Sequence, residues 1–106
     1  DIYFTKRLGK YGWSAVQSLD YANSPNDDLF PSMDADNNFY FSRPVDARGL
    51  EIFCLSNGSR IPIVLPGPFN TVGDDFNLSV IDKRTIVLAR VPKKNGNSDI
   101  FLYTLK

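Results

Sequence analysis

The sequence predicts an all-β protein in which a four-stranded antiparallel unit recurs about every 48 residues. Displacing the chain by 47 positions aligns 23–43 with 70–90, and five of these 21 positions are identical. A second motif, an acidic residue followed by Ile and an aromatic residue, recurs at Asp1, Glu51 and Asp99. Because self-similarity at a period of this length is typical of repeat architectures, we interpret the chain as consecutive copies of one small β-unit.

One period contains four short segments with strand composition, separated by turn residues. The segments are 28–34, 39–42, 50–55 and 61–65. Polar residues at 34–38 and the pair Asn57-Gly58 are turn signals, and Pro44–Gly49 is expected to form a loop. Pro62 lacks a backbone donor, so the fourth strand is predicted at the outer edge of its sheet.

The middle strands are apolar on both faces, which distinguishes a strand packed between two sheets from one that meets water on one side. Residues 39–41, 86–88 and 100–103 show this pattern. In a sandwich the strands alternate apolar and polar residues. Blades of a β-propeller are covered on both faces by their neighbours. No segment has a helical period, so the sequence favours a fragment of a β-propeller.

The residues of one period resemble a known family. Ser32-Met33-Asp34-Ala35, then Phe39-Tyr40-Phe41-Ser42-Arg43, then Gly49-Leu50-Glu51-Ile52-Phe53, are similar to the WD40-like PD40 repeat of TolB-type propellers, with Met33 and Ala35 in place of the family's Pro and Gly. The stretch that begins at Gly12-Trp13 is similar to a subset found in bacterial envelope proteins. The resemblance implies a propeller in the periplasm or cell envelope that binds a protein partner.

In the family's strand order A to D, the chain supplies strands C and D of one blade, all four of the next, and A, B and C of a third. The repeat units are 1–49 and 50–98, with 99–106 as the opening strand of a third unit. The predicted count is nine strands, whereas closed propellers have four to eight blades of four strands. Either the remainder of the propeller lies outside this chain, or copies of the chain associate. We favour the first alternative, because a head-to-tail ring of copies would duplicate strand C. The abrupt start in strand-like residues suggests a mature or trimmed segment.

The composition argues against several classes of function. Twelve basic and twelve acidic residues cancel, so there is no strong field to attract nucleic acid or an anionic membrane. No apolar run approaches the roughly 20 residues that cross a bilayer, so we expect no direct membrane insertion. The chain has no histidine, so a Ser-His-Asp set is impossible, and its lone Cys54 is interpreted as a buried apolar residue. We expect no cofactor and no metal.

Antiparallel order places the loops 23–28 and 67–75 at the same rim as the loops 44–49 and 91–98. The candidate binding residues are the polar residues that recur at this rim: Asn23, Asp27, Asp28, Arg43, Asn70, Asp74, Asp75 and Arg90. Paired aspartates can serve in acid–base catalysis or calcium binding. The alternative is structural, with the aspartates accepting hydrogen bonds from turn N–H groups or pairing with the arginines. Recurrence in both copies favours the structural alternative, since catalysis needs only one site.

Three further groups contain residue types that occur in binding sites. Trp13, with Tyr11 nearby, could be an exposed platform for a sugar, but we expect it to cover the outer strands of its blade. Asp34 and Asp36 faintly echo a calcium loop without its glycine and distant glutamate. The basic turn 93–97 is interpreted as a solvated loop tip.

The sequence therefore predicts a non-catalytic protein-binding or scaffolding segment of an envelope propeller. Two alternatives stay open. The chain could be the propeller part of a larger hydrolase of the prolyl-oligopeptidase type, or a propeller that binds or cleaves glycans.

Overall fold

The computed structural model describes residues 1–46, 48–92 and 96–105 and is all-β, as predicted. These ranges contain eleven strands and no helix, and therefore no helix that could cross a membrane. The strands form separate antiparallel sheets, none of which closes on itself. The strands are β1 (Tyr3–Phe4), β2 (Arg7–Leu8), β3 (Gly12–Trp13), β4 (Gln17–Ser18), β5 (Leu29–Met33), β6 (Phe39–Val45), β7 (Gly49–Leu55), β8 (Ile63–Val64), β9 (Asp74–Asp82), β10 (Thr85–Val91) and β11 (Asp99–Thr104).

Strands β1 to β4 form one long hairpin, called the N-terminal hairpin below. β1 pairs with β4 and β2 pairs with β3. The predicted count of nine strands is wrong for this region, because each predicted strand is split in two. The split occurs where the Ser14 hydroxyl, instead of a main-chain carbonyl, accepts the Lys6 N–H at 2.8 Å. A side chain that replaces a ladder bond in this way interrupts regular pairing.

Strands β5 to β8 form a four-stranded sheet in sequential order, called the central sheet. β8 lies at its edge and is preceded by Pro62, which confirms the predicted edge position. The predicted turns are also present: Asn37 and Gly58 adopt φ values of 62° and 84° in the two tight connections at one end of the sheet.

The prediction that Pro44–Gly49 forms a loop is wrong at both ends of that range. β6 continues through Pro44, which lies opposite Leu50, and Gly49 is already in β7. The Leu50 N–H points away from β6, because it donates to the Asp74 side chain. In an antiparallel ladder the N of Pro44 then also points away from β7. The last β5 pair is Leu29 with Ser42, so no strand lies on that side and the missing donor costs no ladder bond.

Strands β9 to β11 form a three-stranded sheet, called the C-terminal sheet, that repeats the register of the central sheet. Leu29 pairs with Ser42, and the residues 47 positions further along, Phe76 and Ala89, pair with each other. The register shifts at the same place in both sheets, and the bulge contains a residue with positive φ, Phe30 (54°) or Asn77 (56°). The two sheets therefore share one backbone design.

The central sheet is buried on both faces by apolar side chains, as the sequence predicts. One cluster, with Phe41 and Leu55, packs against Ile2 and Ala22 from the N-terminal part of the chain. A second cluster joins Ile52 on the opposite face to residues of the C-terminal sheet, chiefly Leu78 and Leu88. The core thus consists of two layers that join three consecutive β-units.

Candidate functional site

The loops that carry the candidate residues meet at one end of the sheets, called the rim. The Leu50 N–H donates to the Asp74 carboxylate at 2.7 Å, which joins the beginning of β7 to the beginning of β9. A cleft of about 260 Å³ lies here, lined by Gly49, Val72, Val91 and neighbouring residues. Residues 93–95, part of the predicted rim loop and basic turn, lie outside the described residues. The described loops share one rim, as predicted.

In the central unit, Asp28 is buried and its carboxylate accepts three hydrogen bonds. Its Oδ2 accepts the Ser24 N–H at 2.7 Å and the Ser24 hydroxyl at 2.9 Å. Its Oδ1 accepts from Nε of Arg43 at 2.6 Å, and the same guanidinium donates to the Ala22 carbonyl at 2.9 Å. We call this set of bonds the Asp–Arg lock. It ties the incoming loop, β5 and β6 together.

The C-terminal sheet contains a second Asp–Arg lock. Asp75 accepts from the N–H and hydroxyl of Thr71 at 2.6 and 2.9 Å, and pairs with Nε of Arg90. Arg90 also donates to the Pro68 carbonyl at 2.8 Å and to the Tyr103 hydroxyl at 2.9 Å. Burial acts to lower the pKa of Arg90, but its bonds to Asp75 and Tyr103 raise the pKa above its ordinary value. The guanidinium is therefore held charged.

Aromatic rings complete both locks from β7 and β11. The Arg43 guanidinium lies 5.0 Å from the ring centroid of Phe53, and the Arg90 guanidinium lies 5.0 Å from that of Phe101. Cation–π contacts of this kind are strongest where water is excluded. Each arginine is thus enclosed by a carboxylate on one side and an aromatic face on the other.

The two candidate asparagines hold the main chain of the acidic–Ile–aromatic motif. The Asn23 side chain accepts the Ile2 N–H through Oδ1 and donates to the Ile2 carbonyl through Nδ2 at 2.9 Å. Asn70 does the same at Ile52, with bonds of 2.7 and 3.0 Å. We call this paired bond the asparagine clamp. It fastens each unit to the motif strand of the unit before it.

The structure brings most of the predicted residues together, but in structural contacts. Asp28 and Asp75 are 1% and 0% exposed, and Asn70 and Arg90 are also buried. Asp27 is exposed, and Asp74 bonds the Leu50 N–H. These contacts are those of the structural alternative, since each of the two buried carboxylates accepts three internal hydrogen bonds. Ligand binding at the rim stays a prediction for the exposed residues.

Asp34 organises the tight turn at the opposite end of the sheet. Its carboxylate accepts the N–H of Asp36 and of Asn38, the Asn38 amide and the Tyr40 hydroxyl, at 2.9–3.0 Å. Burial acts to raise the pKa of Asp34, but these hydrogen bonds lower it below its usual value. Among the described residues, no group of three or more potential ligands lies close enough to hold a metal ion.

Cys54 lies in β7 opposite Tyr40 and is half-buried. Burial raises the pKa of the Cys54 thiol, and the nearby Asp34 charge raises it further. Burial and the bond to Asp34 likewise raise the pKa of Tyr40. Both groups are therefore kept neutral near pH 7, which disfavours a thiolate nucleophile.

The expectation that Trp13 covers the outer strands is wrong. Trp13 is 60% exposed and Tyr11 is 86% exposed. The reason is that β2 and β3 pair only with each other, so the tip of the N-terminal hairpin projects without a sheet beneath it. The Arg7 guanidinium lies 5.6 Å from the Trp13 ring centroid and covers part of it.

Sequence reasoning missed the hydroxyl residue of each lock. Ser24 and Thr71 lie 47 positions apart, and each lies four residues before its buried aspartate. The alignment pairs the two hydroxyl residues, which was the available signal. Comparison of the chain with protein-family models, with curated proteins and with solved structures gave no match.

Replacing Asp28 is predicted to destabilise the chain far more than replacing its neighbour Asp27. Asp28→Ala leaves the Arg43 guanidinium partly buried without its carboxylate, and losing one partner of such a pair costs about 3 kcal/mol. Asp27→Ala removes an exposed side chain and is expected to leave the free energy of unfolding unchanged. Urea unfolding of both variants checks this, and equal losses would contradict the assignment of Asp28 to the lock.

Asp34→Asn is predicted to remove a pH-dependent part of the stability. The folded-state pKa of Asp34 lies below its unfolded value of about 3.9. The carboxylate therefore stabilises the fold above pH 4, and this contribution is lost as the pH falls through the folded pKa. Urea unfolding from pH 7 to pH 3 should show the gap between wild type and variant closing. Asp36→Asn is the matched control for charge loss in the same turn, and a gap independent of pH would contradict the prediction.

Proposed function

We propose that this chain is a segment of a β-propeller that serves as a non-catalytic, protein-binding scaffold in a bacterial cell envelope. The observation that carries the proposal is the Asp–Arg lock, which occurs with the same donors and acceptors in both sheets. A device that recurs in each unit serves the architecture and not one reaction. It holds the rim loops of successive units in equivalent positions.

The packing of the central sheet supports the propeller arrangement. Ile52 on one face is fully buried by the following unit, and Phe41 on the other face is buried by the preceding one. Sheets that stack face to face around an axis need apolar residues on both sides. The edge strand β8, with Pro62 before it, fits the outer position of a blade.

The rim supports binding through its loops. The buried carboxylates there are bonded to internal donors, whereas the loop tip with Pro25, Asn26 and Asp27 is exposed. Variable loops on a rigid frame are the usual location of protein-binding residues. We further propose a periplasmic location, which the resemblance of 32–53 to PD40 repeats implies.

Photocrosslinking from the rim tests the proposal. A photoreactive amino acid in place of Asn26, exposed on the rim, is compared with the same residue in place of Asn57, which is exposed at the opposite end of the sheet beside Asn38. In an envelope extract of the source bacterium, position 26 should give a discrete protein adduct that excess unmodified chain competes away. The same adduct from both positions, or no competable adduct from position 26, would sink the proposal.

Exposure of the hairpin tip favours a second candidate, a glycan-binding propeller. Tyr11 in the turn between β2 and β3, and Trp13 on β3, present aromatic rings to solvent. Because Trp13 is the sole tryptophan, its fluorescence reports on this tip alone. A saturable change on titration with soluble peptidoglycan fragments, lost in Tyr11→Ala, is the result expected of a glycan site. A flat titration removes the candidate.

A further inference from the structure

The outer face of the C-terminal sheet is apolar and uncovered. Ile100 is 80% exposed and Leu102 is 64% exposed, and the two lie opposite Ala89 and Val87 on β10. In the central sheet the same register position is occupied by Ile52, which is 0% exposed. One position of the repeat is thus completely buried in one unit and solvent-exposed in the next.

The main chain at Ile100 also lacks the partner that its counterparts have. Ile2 is held by the clamp of Asn23, and Ile52 by that of Asn70. Ile100 is the third isoleucine of the acidic–Ile–aromatic motif, and no described side chain bonds its N–H or carbonyl. Because the pairing of β10 with β11 repeats that of β6 with β7, these two groups point to the free edge of β11.

The asparagine that could supply the missing clamp is Asn23, the counterpart of Asn70. Its present ligand, Ile2, is itself buried. The N-terminal hairpin that follows Ile2 is largely exposed, with four strands of two residues each. Segments with few buried contacts open at low free-energy cost. Asn70, in contrast, is itself buried between two sheets.

Resting on the proposed function, we propose that the C-terminal sheet binds a second copy of this chain head to tail. In this contact Asn23 of the second copy clamps Ile100 of the first, in place of the second copy's own Ile2. The contact continues an interface that the chain already contains. Leu88 and Phe101 cover Ile52 within the chain. Their counterparts Phe41 and Phe53, now beneath the N-terminal hairpin, would cover Ile100 in the same way.

Such a contact joins two different surfaces, so it generates chains or rings and not a closed two-fold dimer. The exchange buries two exposed apolar side chains, Ile100 and Leu102, and transfers the two clamp bonds of Asn23 from Ile2 to Ile100.

Analytical ultracentrifugation across a concentration series tests the proposal. Wild type should self-associate, and Ile100→Asp should weaken the association at least about tenfold, because it places a carboxylate in the apolar contact. Ile61→Asp is the matched control, since Ile61 is 74% exposed and lies outside the face. Equal weakening by both variants, or a wild-type monomer at every concentration, would overturn the proposal.

A mixing experiment tests the head-to-tail arrangement. Ile100→Asp retains the Asn23 surface, and Asn23→Ala retains the Ile100 surface. Neither variant should assemble alone, whereas an equimolar mixture should give a one-to-one complex. Homo-oligomers of Asn23→Ala would show a face-to-face contact and overturn the arrangement. Circular dichroism checks that Asn23→Ala is folded. If Asn23→Ala unfolds, self-association is judged from the comparison of Ile100→Asp with Ile61→Asp.

These outcomes are distinguishable from failure of the proposed function. A wild-type monomer that unfolds cooperatively overturns self-association and leaves the repeat architecture intact. The repeated locks and the rim crosslink from Asn26 would be unaffected by that result.

Discussion

The buried aspartate–arginine pair at the head of each sheet is the interaction on which the rest of the structure depends. Asp75 is 0% exposed, and Arg90 and Thr71 surround its carboxylate with hydrogen-bond donors, without which its burial would be costly. Since the arginine lies on one strand and the aspartate on another, the pair sets the register between them. The second arginine bond, to the Pro68 carbonyl, fixes where the preceding loop enters.

The asparagine clamp joins one unit to the next through hydrogen bonds, as the Asp–Arg lock joins the strands within a unit. The lock positions a loop on its own sheet, and the asparagine in that loop then bonds the motif strand of the previous unit. At Ile52 this contact is buried under Leu78 and Leu88, so polar specificity and apolar burial coincide. A short polar motif and one isoleucine per unit thus suffice to specify both the sheet and its neighbour. The exposed loop tips can vary without disturbing either.

Much of this architecture could be predicted from the sequence, and the failures have physical causes. The repeat, the turns at Asn37 and Gly58 and the edge position of β8 follow from local composition. The sequence did not distinguish Asp28 from Asp27, because which of two adjacent residues faces inward depends on the bulge in β5. That bulge places Phe30 at φ 54°, a conformation that a bulky residue rarely adopts, so propensity argues against it. Trp13 is exposed because β2 and β3 pair only with each other, and local composition does not reveal whether a further sheet packs against a hairpin.

The measurement that tests the account most directly is a pair of double-mutant cycles. Asp28 is coupled to Arg43 in one cycle and Asp75 to Arg90 in the other, with urea unfolding as the readout. If the lock organises both sheets, each pair should show a coupling energy of about 1–3 kcal/mol, while the cross-cycle of Asp28 with Arg90 should be near zero. Coupling absent from either native pair, or as large across sheets as within them, would contradict the account.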